Sequence, residues 1–223
     1  GIRDVTDNIA HDLRSPLSRL RNRLEVTLLE PRDGDEYREA LQHGIEDADS
    51  LIKTFNALLS IAQAEAGNHR SEWVPVDLSE LARDLAELYE PAAEERQQRV
   101  ELIATGPAVI TGSRDLLTQA LSNLLENAIK HTPADGTIRI EVACLEKMIE
   151  LRVSDTGPGI PESERERVLE RFVRLQNSRN TPGNGLGLSL VRAVAILHNA
   201  QLQLGDAQPG LLVTLRFPRV QSN

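Results

Sequence analysis

The stretch IAHDLRSPLSRLR, Ile9 to Arg21, places an imidazole, a carboxylate, a hydroxyl and a proline at His11, Asp12, Ser15 and Pro16. A neutral imidazole nitrogen is a good nucleophile, and a histidine pKa of about 6.5 leaves much of the ring unprotonated at neutral pH. At about 100° per residue, Ile9, Leu13, Leu17, Leu20 and Leu24 fall on one helical stripe. His11 then lies on the opposite side, facing solvent, with Ser15 one turn later on the same face. Pro16 cannot donate to the Asp12 carbonyl and crowds it, a cost of about 3 kcal/mol inside a helix. Because Ile2, Val5 and Ile9 continue the stripe upstream, the helix is expected to run through the proline and bend just after His11.

Three further motifs carry groups suited to a phosphorylated ligand. In NLLENAIKH, Asn123 and Asn127 are one turn apart on one face, followed by Lys130 and His131. Asparagine is a poor helix former, so two on one face suit a polar ligand, and a solvated face would carry them equally. SDTGPGIP sets Asp155 at the end of an apolar run, before Gly157 and Gly159. A carboxylate there can accept from an exocyclic amine such as that of adenine, while glycine lets backbone approach a ligand closely; an Asp-Gly turn closing a strand uses the same residues. GNGLGLSLV spaces Gly183, Gly185 and Gly187 alternately before an apolar helix, whose free N-terminal amides suit phosphate oxygens. Neither the dinucleotide fingerprint nor the lysine-bearing phosphate loop is matched. Between these last two motifs, residues 170–184 are polar, basic and rich in turn formers, the composition of a loop over a nucleotide or of a plain surface loop.

The elements that must position these groups divide in two. From Leu41, the apolar positions Ile45, Ala48, Ile52, Phe55, Leu59, Ala62 and Ala66 alternate steps of three and four, the pattern of a long helix with a coiled-coil-like seam. EPRDGDE, Glu30 to Glu36, supplies a turn, so the two helices are expected to fold back as an antiparallel hairpin. A hairpin alone has little core, and a second copy would cover its seam in a dimeric four-helix bundle. After AGNHRSEWVPV the signals mix. Helices are expected at Leu78 to Arg96, Arg114 to His131 and Gly187 to His198, and strands at Arg99 to Ala104, Thr137 to Cys144, Ile149 to Ser154, Gln201 to Gly205 and Leu211 to Phe217. The fold class is α+β, with helices packed on a mainly antiparallel sheet in the second domain. The expected divisions are residues 1–69 for the hairpin, 70–76 for a linker and 77–220 for the second domain.

The 223 residues carry a net charge of −9 without a basic run, which argues against nucleic acid as a partner. The one cysteine, Cys144, cannot form an intrachain disulfide and suits a reducing compartment. No apolar run approaches the roughly 20 residues that span a bilayer, and no signal-peptide pattern occurs, so no direct membrane contact is expected of this chain. Beginning at Gly1 within an apparent helix, it reads as a piece of something longer.

HDLRSPL, NLLENAIKHTP, DTGPGI, ERFVR and GNGLGL together resemble the H, N, G1, F and G2 boxes of the transmitter region of bacterial sensor histidine kinases, over nearly the whole chain from Val5 to about Phe217. The resemblance implies ATP-dependent phosphorylation of His11 and transfer to an aspartate of a response-regulator receiver domain. It implies a homodimer and an ATP-binding domain of the histidine kinase and chaperone ATPase type, with ATP and Mg²⁺ as cofactors. By the same likeness Asp12 orients the His11 ring and takes its proton, and Asn127 binds Mg²⁺ with Asn123 as its polar partner. Lys130 and Arg174 meet phosphates, His131 occupies an adenine-pocket position, and Asp155 reads adenine. Gly157, Gly159 and Ile160 line the pocket, while Gly183, Gly185, Leu186 and Gly187 form the hinge of an ATP lid. Ser15 matches a position that helps place the water in regulator dephosphorylation; its hydroxyl lacks the β-branch that would fix its rotamer, implying a weaker or conditional phosphatase. The region would lie on the cytoplasmic side of the inner membrane, anchored there by the full-length protein. A related-fold ATPase, or a nucleotide-binding pseudokinase scaffold, is the alternative. In the ATPases a glutamate stands one turn before the metal-binding Asn, where this chain has Asn123.

Overall fold

The computed structural model describes residues 17–18, 20–29, 33–65, 73–170, 173 and 187–219. The expectations on His11, Asp12, Ser15, Arg174, Gly183, Gly185 and Leu186, and the bend at Pro16, lie outside the described residues.

Helix α1 (residues 20–29) and helix α2 (Gly34–Glu65) form the hairpin. Its turn is closed by chemistry that DGDE supplies: Asp33 Oδ1 accepts from the amides of Asp35 at 3.0 Å and Glu36 at 2.8 Å. Glu36 Oε2 in turn accepts from Asp33 N at 3.3 Å, so two otherwise unpaired helix-end donors are satisfied reciprocally. Close contact between the helices is made at Gly44, where a Cβ would meet Leu24 Cδ2 at 3.0 Å, and Arg23 reaches across to Asp47 at 2.6 Å. Leu20 and Leu24 are half-buried there, but Leu17 is exposed and so are Leu41, Ile45 and Ile52 of the seam.

The second domain begins with β1 (Val74–Asp77), which pairs antiparallel with β3 (Val109–Gly112) in a small two-stranded sheet. Neither short strand follows from the sequence pattern, because four residues with Pro75 in one of them carry no usable period. The main sheet has the order β2 (Arg99–Ala104), β4 (Thr137–Cys144), β5 (Met148–Asp155), β7 (Leu211–Pro218), β6 (Gln201–Asp206). Only the β2–β4 pair is parallel; the other pairs are antiparallel, as expected. Helices α3 (Leu78–Glu94), α4 (Arg114–His131) and α6 (Gly187–Leu197) contribute to one buried cluster with Ile138, Ile140, Leu151, Val213 and Phe217 of the sheet. The short α5 (Glu162–Arg165) follows β5. Alternation along the strands sends charged residues to the opposite face, where buried Glu150 is gripped by Arg152 Nη2 at 2.6 Å and Arg216 Nε at 2.7 Å.

Helix starts are fixed by side chains. Asp77 accepts from Ser79 N at 2.9 Å to cap α3, and Ser113 accepts from Leu116 N at 3.4 Å to cap α4. The α4 start is further held by His198, at the end of α6. Its Nε2 accepts from Ser113 N at 3.1 Å, its Nδ1–H donates to Val194 O at 2.8 Å, and its ring stacks on Trp73 with centroids 4.9 Å apart.

Candidate functional site

Helix α4 buries Leu124, Leu125, Ala128 and Ile129 and leaves Asn123, Asn127 and Lys130 half-buried on another face, because steps of four and three return to one side of the helix. Asn123 Nδ2 donates back to Gln119 O at 2.9 Å, which leaves Oδ1 facing the first residue of α6. A Cβ on Gly187 would lie 3.1 Å from Asn127 Nδ2 and 3.3 Å from Asn123 Oδ1. The absence of a side chain at Gly187 therefore lets the start of α6 close onto both amides. The carboxylate nearest in sequence, Glu126, is turned the other way: Tyr89 of α3 donates its hydroxyl to Glu126 Oε1 at 2.9 Å. Burial pushes the Tyr89 phenol up to about 12, so it stays a donor.

Asp155 ends β5 and is only 8% exposed. Its Oδ1 accepts from Gly157 N at 2.8 Å and Leu211 N at 3.3 Å, and no described residue bonds Oδ2. Burial raises its pKa above the ordinary carboxylate value, and the two backbone donors oppose that rise. A Cβ on Gly157 would stand 2.7 Å from His131 O and 2.8 Å from Asp155 Oδ1, so the end of α4, the carboxylate and the glycine converge on one place. Gly159, at φ 67°, would carry a Cβ 2.9 Å from Gly210 O, and Ile160 is half-buried beside it. A carboxylate oxygen held in a low-polarity wall, with its partner oxygen already committed, accepts a donor such as an aromatic amine.

The structure thus gathers Asp155, Gly157 and the His131 backbone at one end of α4, and Asn123, Asn127 and Gly187 along its flank. Leu211 and Gly210 join the site from the turn between β6 and β7, which a linear reading treats only as a turn. Among the described residues no group of three or more His, Cys, Asp or Glu is placed to hold a metal ion. The donor set present, amide oxygens beside a helix start, suits a hard cation that arrives with phosphate oxygens and keeps several waters.

Residues 112–221 match the family of histidine kinase-, DNA gyrase B- and HSP90-like ATPases, and residues 2–67 match the His Kinase A (phospho-acceptor) domain. The chain is similar to the sensor protein IrlS of Burkholderia pseudomallei, 35% identical over 217 residues that cover 96% of this chain and 46% of that protein. It thus spans less than half the length of that relative. The solved mycobacterial sensor histidine kinase MprB is 32% identical, with a TM-score of 0.57, covering 66% of this chain and 97% of that one. Full-length ShkA, solved in complex with AMPPNP, is 26% identical with a TM-score of 0.67, covering 97% of this chain and 47% of that one.

Proposed function

Since the chain belongs to the sensor histidine kinases of two-component systems, we propose that it binds Mg·ATP in its second domain, phosphorylates His11 of its own hairpin and passes the phosphoryl group to a response-regulator receiver aspartate. The observation that carries this reading is the convergence of the Asp155 carboxylate, Gly157 and the His131 carbonyl at one end of α4, with the Asn123 and Asn127 amides along its flank. The adenine amine donates to Asp155, and Gly159 and Ile160 complete the pocket wall. The phosphates run along α4 toward Asn127 and Lys130 and meet Arg174. Residues Gly183, Gly185, Leu186 and Gly187 form the hinge of a lid, whose last glycine is the one against both amides.

Asn127 would hold Mg²⁺, which would supply neutralisation of the phosphate charge. The neutral His11 nitrogen attacks the γ-phosphorus, the bond from γ-phosphorus to the bridging oxygen breaks, and ADP leaves with that electron pair. Asp12 takes the proton from the ring. Glu126 is occupied by Tyr89 and Asn123 replaces a water-activating glutamate, so transfer to histidine is favoured over hydrolysis. Residues 1–69 act as the dimerising phosphoacceptor hairpin; the linker expected over 70–76 ends earlier, because Val74–Asp77 pair with β3 and Val76 is buried in the core, so the ATP-binding domain runs from Val74 to about residue 220. Ser15 assists a weak phosphatase activity toward the regulator. No helix among the described residues is long and apolar enough to cross a membrane. We place the region on the cytoplasmic side, in a full-length protein anchored in the inner membrane, by its likeness to sensor proteins.

Incubation with γ-labelled ATP and Mg²⁺ tests the reading. The parent is expected to take up acid-labile, base-stable label, and His11→Ala to take up none while still binding ADP. Label retained on His11→Ala would refute the assignment.

A further inference from the structure

The chain passes from α3 into β2 through Gln97, whose φ of 58° is left-handed, and Gln98, which is only 4% exposed. An apolar side chain is the ordinary filling for a buried position at the start of a strand, so a buried amide there calls for a reason. Gln98 Nε2 donates to two carbonyls at the C-terminal end of α4, Ile129 O at 3.0 Å and Thr132 O at 2.5 Å. Ile129 O has no helical donor of its own, because the residue four positions on is Pro133. Two backbone bonds flank the amide: Asp135 N donates to Gln97 O at 2.8 Å and Arg99 N to Gly136 O at 3.0 Å. The amide orientation is fixed, since turned over it would press an oxygen against two carbonyl oxygens. In that orientation Gln98 Oε1 is left buried without a partner among the described residues, as is Thr132 Oγ1. An amide that leaves its own acceptor unsatisfied is there for its donor half.

The two gripped carbonyls bracket His131, whose own carbonyl packs on Gly157, and Gly157 N holds Asp155 Oδ1. We propose that Gln98 is a positioning residue for the nucleotide: it clamps the last turn of α4 from behind and so sets the wall of the pocket that Asp155 and Gly157 form. This rests on the nucleotide site argued above. Gln98 touches no ligand and acts only through the α4 terminus, where a displacement well under 1 Å is enough to weaken an oriented contact by about tenfold.

Calorimetric titration with ADP, on the full chain well below its unfolding temperature, reads the clamp. Gln98→Met keeps the length and removes the donors; it is expected to weaken ADP binding about tenfold, because the pocket wall is then free to shift. Gln98→Asn, one methylene shorter and able to reach one carbonyl, should fall between Met and the parent, and it decides the matter if the Met variant does not fold. Thr132→Val removes a hydroxyl that has no partner among the described residues and should bind within about twofold of the parent. A role in stability alone would lower the unfolding temperature of the Gln98 variants and leave their ADP affinity at the parent value, which overturns the proposal. Equal weakening in Thr132→Val overturns it too, by making any change of packing sufficient. A parent that does not bind ADP overturns the nucleotide site itself, and the clamp's role with it.

Discussion

The hairpin and the ATP-binding domain treat apolar surface in opposite ways. In the domain, three helices and the sheet close over one cluster in which Leu121, Leu125, Ile138, Ile140 and Phe217 are all buried. In the hairpin, Leu28 and Leu29 are 79% and 82% exposed, and Leu41, Ile45 and Ile52 stand in the open on α2. Each such side chain gains about 1.5–3 kcal/mol when it leaves water, so the domain has collected a stabilisation that the described hairpin residues reach only at Leu51, 5% exposed on α2. The domain also carries solvent-exposed ion pairs such as Arg139–Glu101 and Arg114–Asp84, and it is its most buried one that contrasts with the hairpin. Glu150 is buried between two arginines, whereas the Arg23–Asp47 pair that ties α1 to α2 is half in solvent. One chain is therefore enough to build the pocket, whereas the hairpin leaves open the face that the proposed dimer would cover.

The sharpest way to separate the regions is to destroy one function and watch the other. Gly157→Ala should produce the largest effect, because its Cβ would stand 2.7 Å from His131 O and 2.8 Å from Asp155 Oδ1, and neither backbone nor a buried carboxylate has room to yield. Calorimetry should show ADP affinity falling by about a hundredfold or more. Sedimentation should show the oligomer unchanged, and a monomer there would mean that the regions are not independent.

The converse experiment places charge on the seam. Leu41→Asp combined with Ile45→Asp would have to bury two unpaired carboxylates in any dimer that uses this face. Sedimentation equilibrium should show dimerisation weakened by about a hundredfold, with ADP affinity within about twofold of the parent. A dimer of undiminished strength would mean that this face is not the seam.

What the sequence revealed follows the same contrast. Helix α4, with its Asn123, Asn127 and Lys130 face, and the strands β2, β4 and β5 stood out because 3.6- and 2-residue periods mark elements packed on one side. Asp155 and Gly157 were legible as a strand end, and the structure joins them to His131. Missing from that reading were the contacts that register alone creates. Leu211 N reaches Asp155 because β7 lies beside β5, and Gln98 reaches α4 because a left-handed Gln97 turns the chain under it. In the hairpin the stripe through Leu17, Leu20 and Leu24 was expected to be buried, yet Leu17 is exposed, because periodicity says which face is apolar and not whether one chain can cover it.

A smaller effect compares the two kinds of ion pair. Glu150→Ala removes a buried carboxylate and leaves Arg152 and Arg216, both partly solvated, without it; the expected loss is about 1–3 kcal/mol in denaturant unfolding. Arg23→Ala breaks an exposed pair and should cost about 0–1 kcal/mol. Equal losses in the two variants would erase the contrast between a self-sufficient domain and an open hairpin.

The smallest expected effect belongs to His198, and its sign follows from its bonds. Nδ1–H donates to Val194 O and Nε2 accepts from Ser113 N, so the site is satisfied only by a neutral ring with its proton on Nδ1. Burial lowers the His198 pKa from the ordinary value of 6.5, and the Val194 carbonyl, which favours the charged ring, opposes that only in part. Below pH 6.5 the unfolded chain therefore takes up a proton that the folded domain refuses, so stability is full above that pH and falls as the pH drops toward the native value. Asp155 works in the other direction: its raised pKa makes the charged form a cost to the folded state, relieved as the pH falls through the native value. The two are separable because Trp73, the single tryptophan, stacks on the His198 ring and reports its protonation. Between pH 7.5 and 5.5 the midpoint of the transition that ADP shifts upward should fall. Tryptophan emission in the folded protein should stay constant until a pH below 6.5. His198→Gln should remove most of that slope, since its amide carries a donor and an acceptor and does not titrate. Were the slope the same in His198→Gln, the pH dependence would have to come from another group, and His198 would be only the packing that joins Trp73, Ser113 and α6.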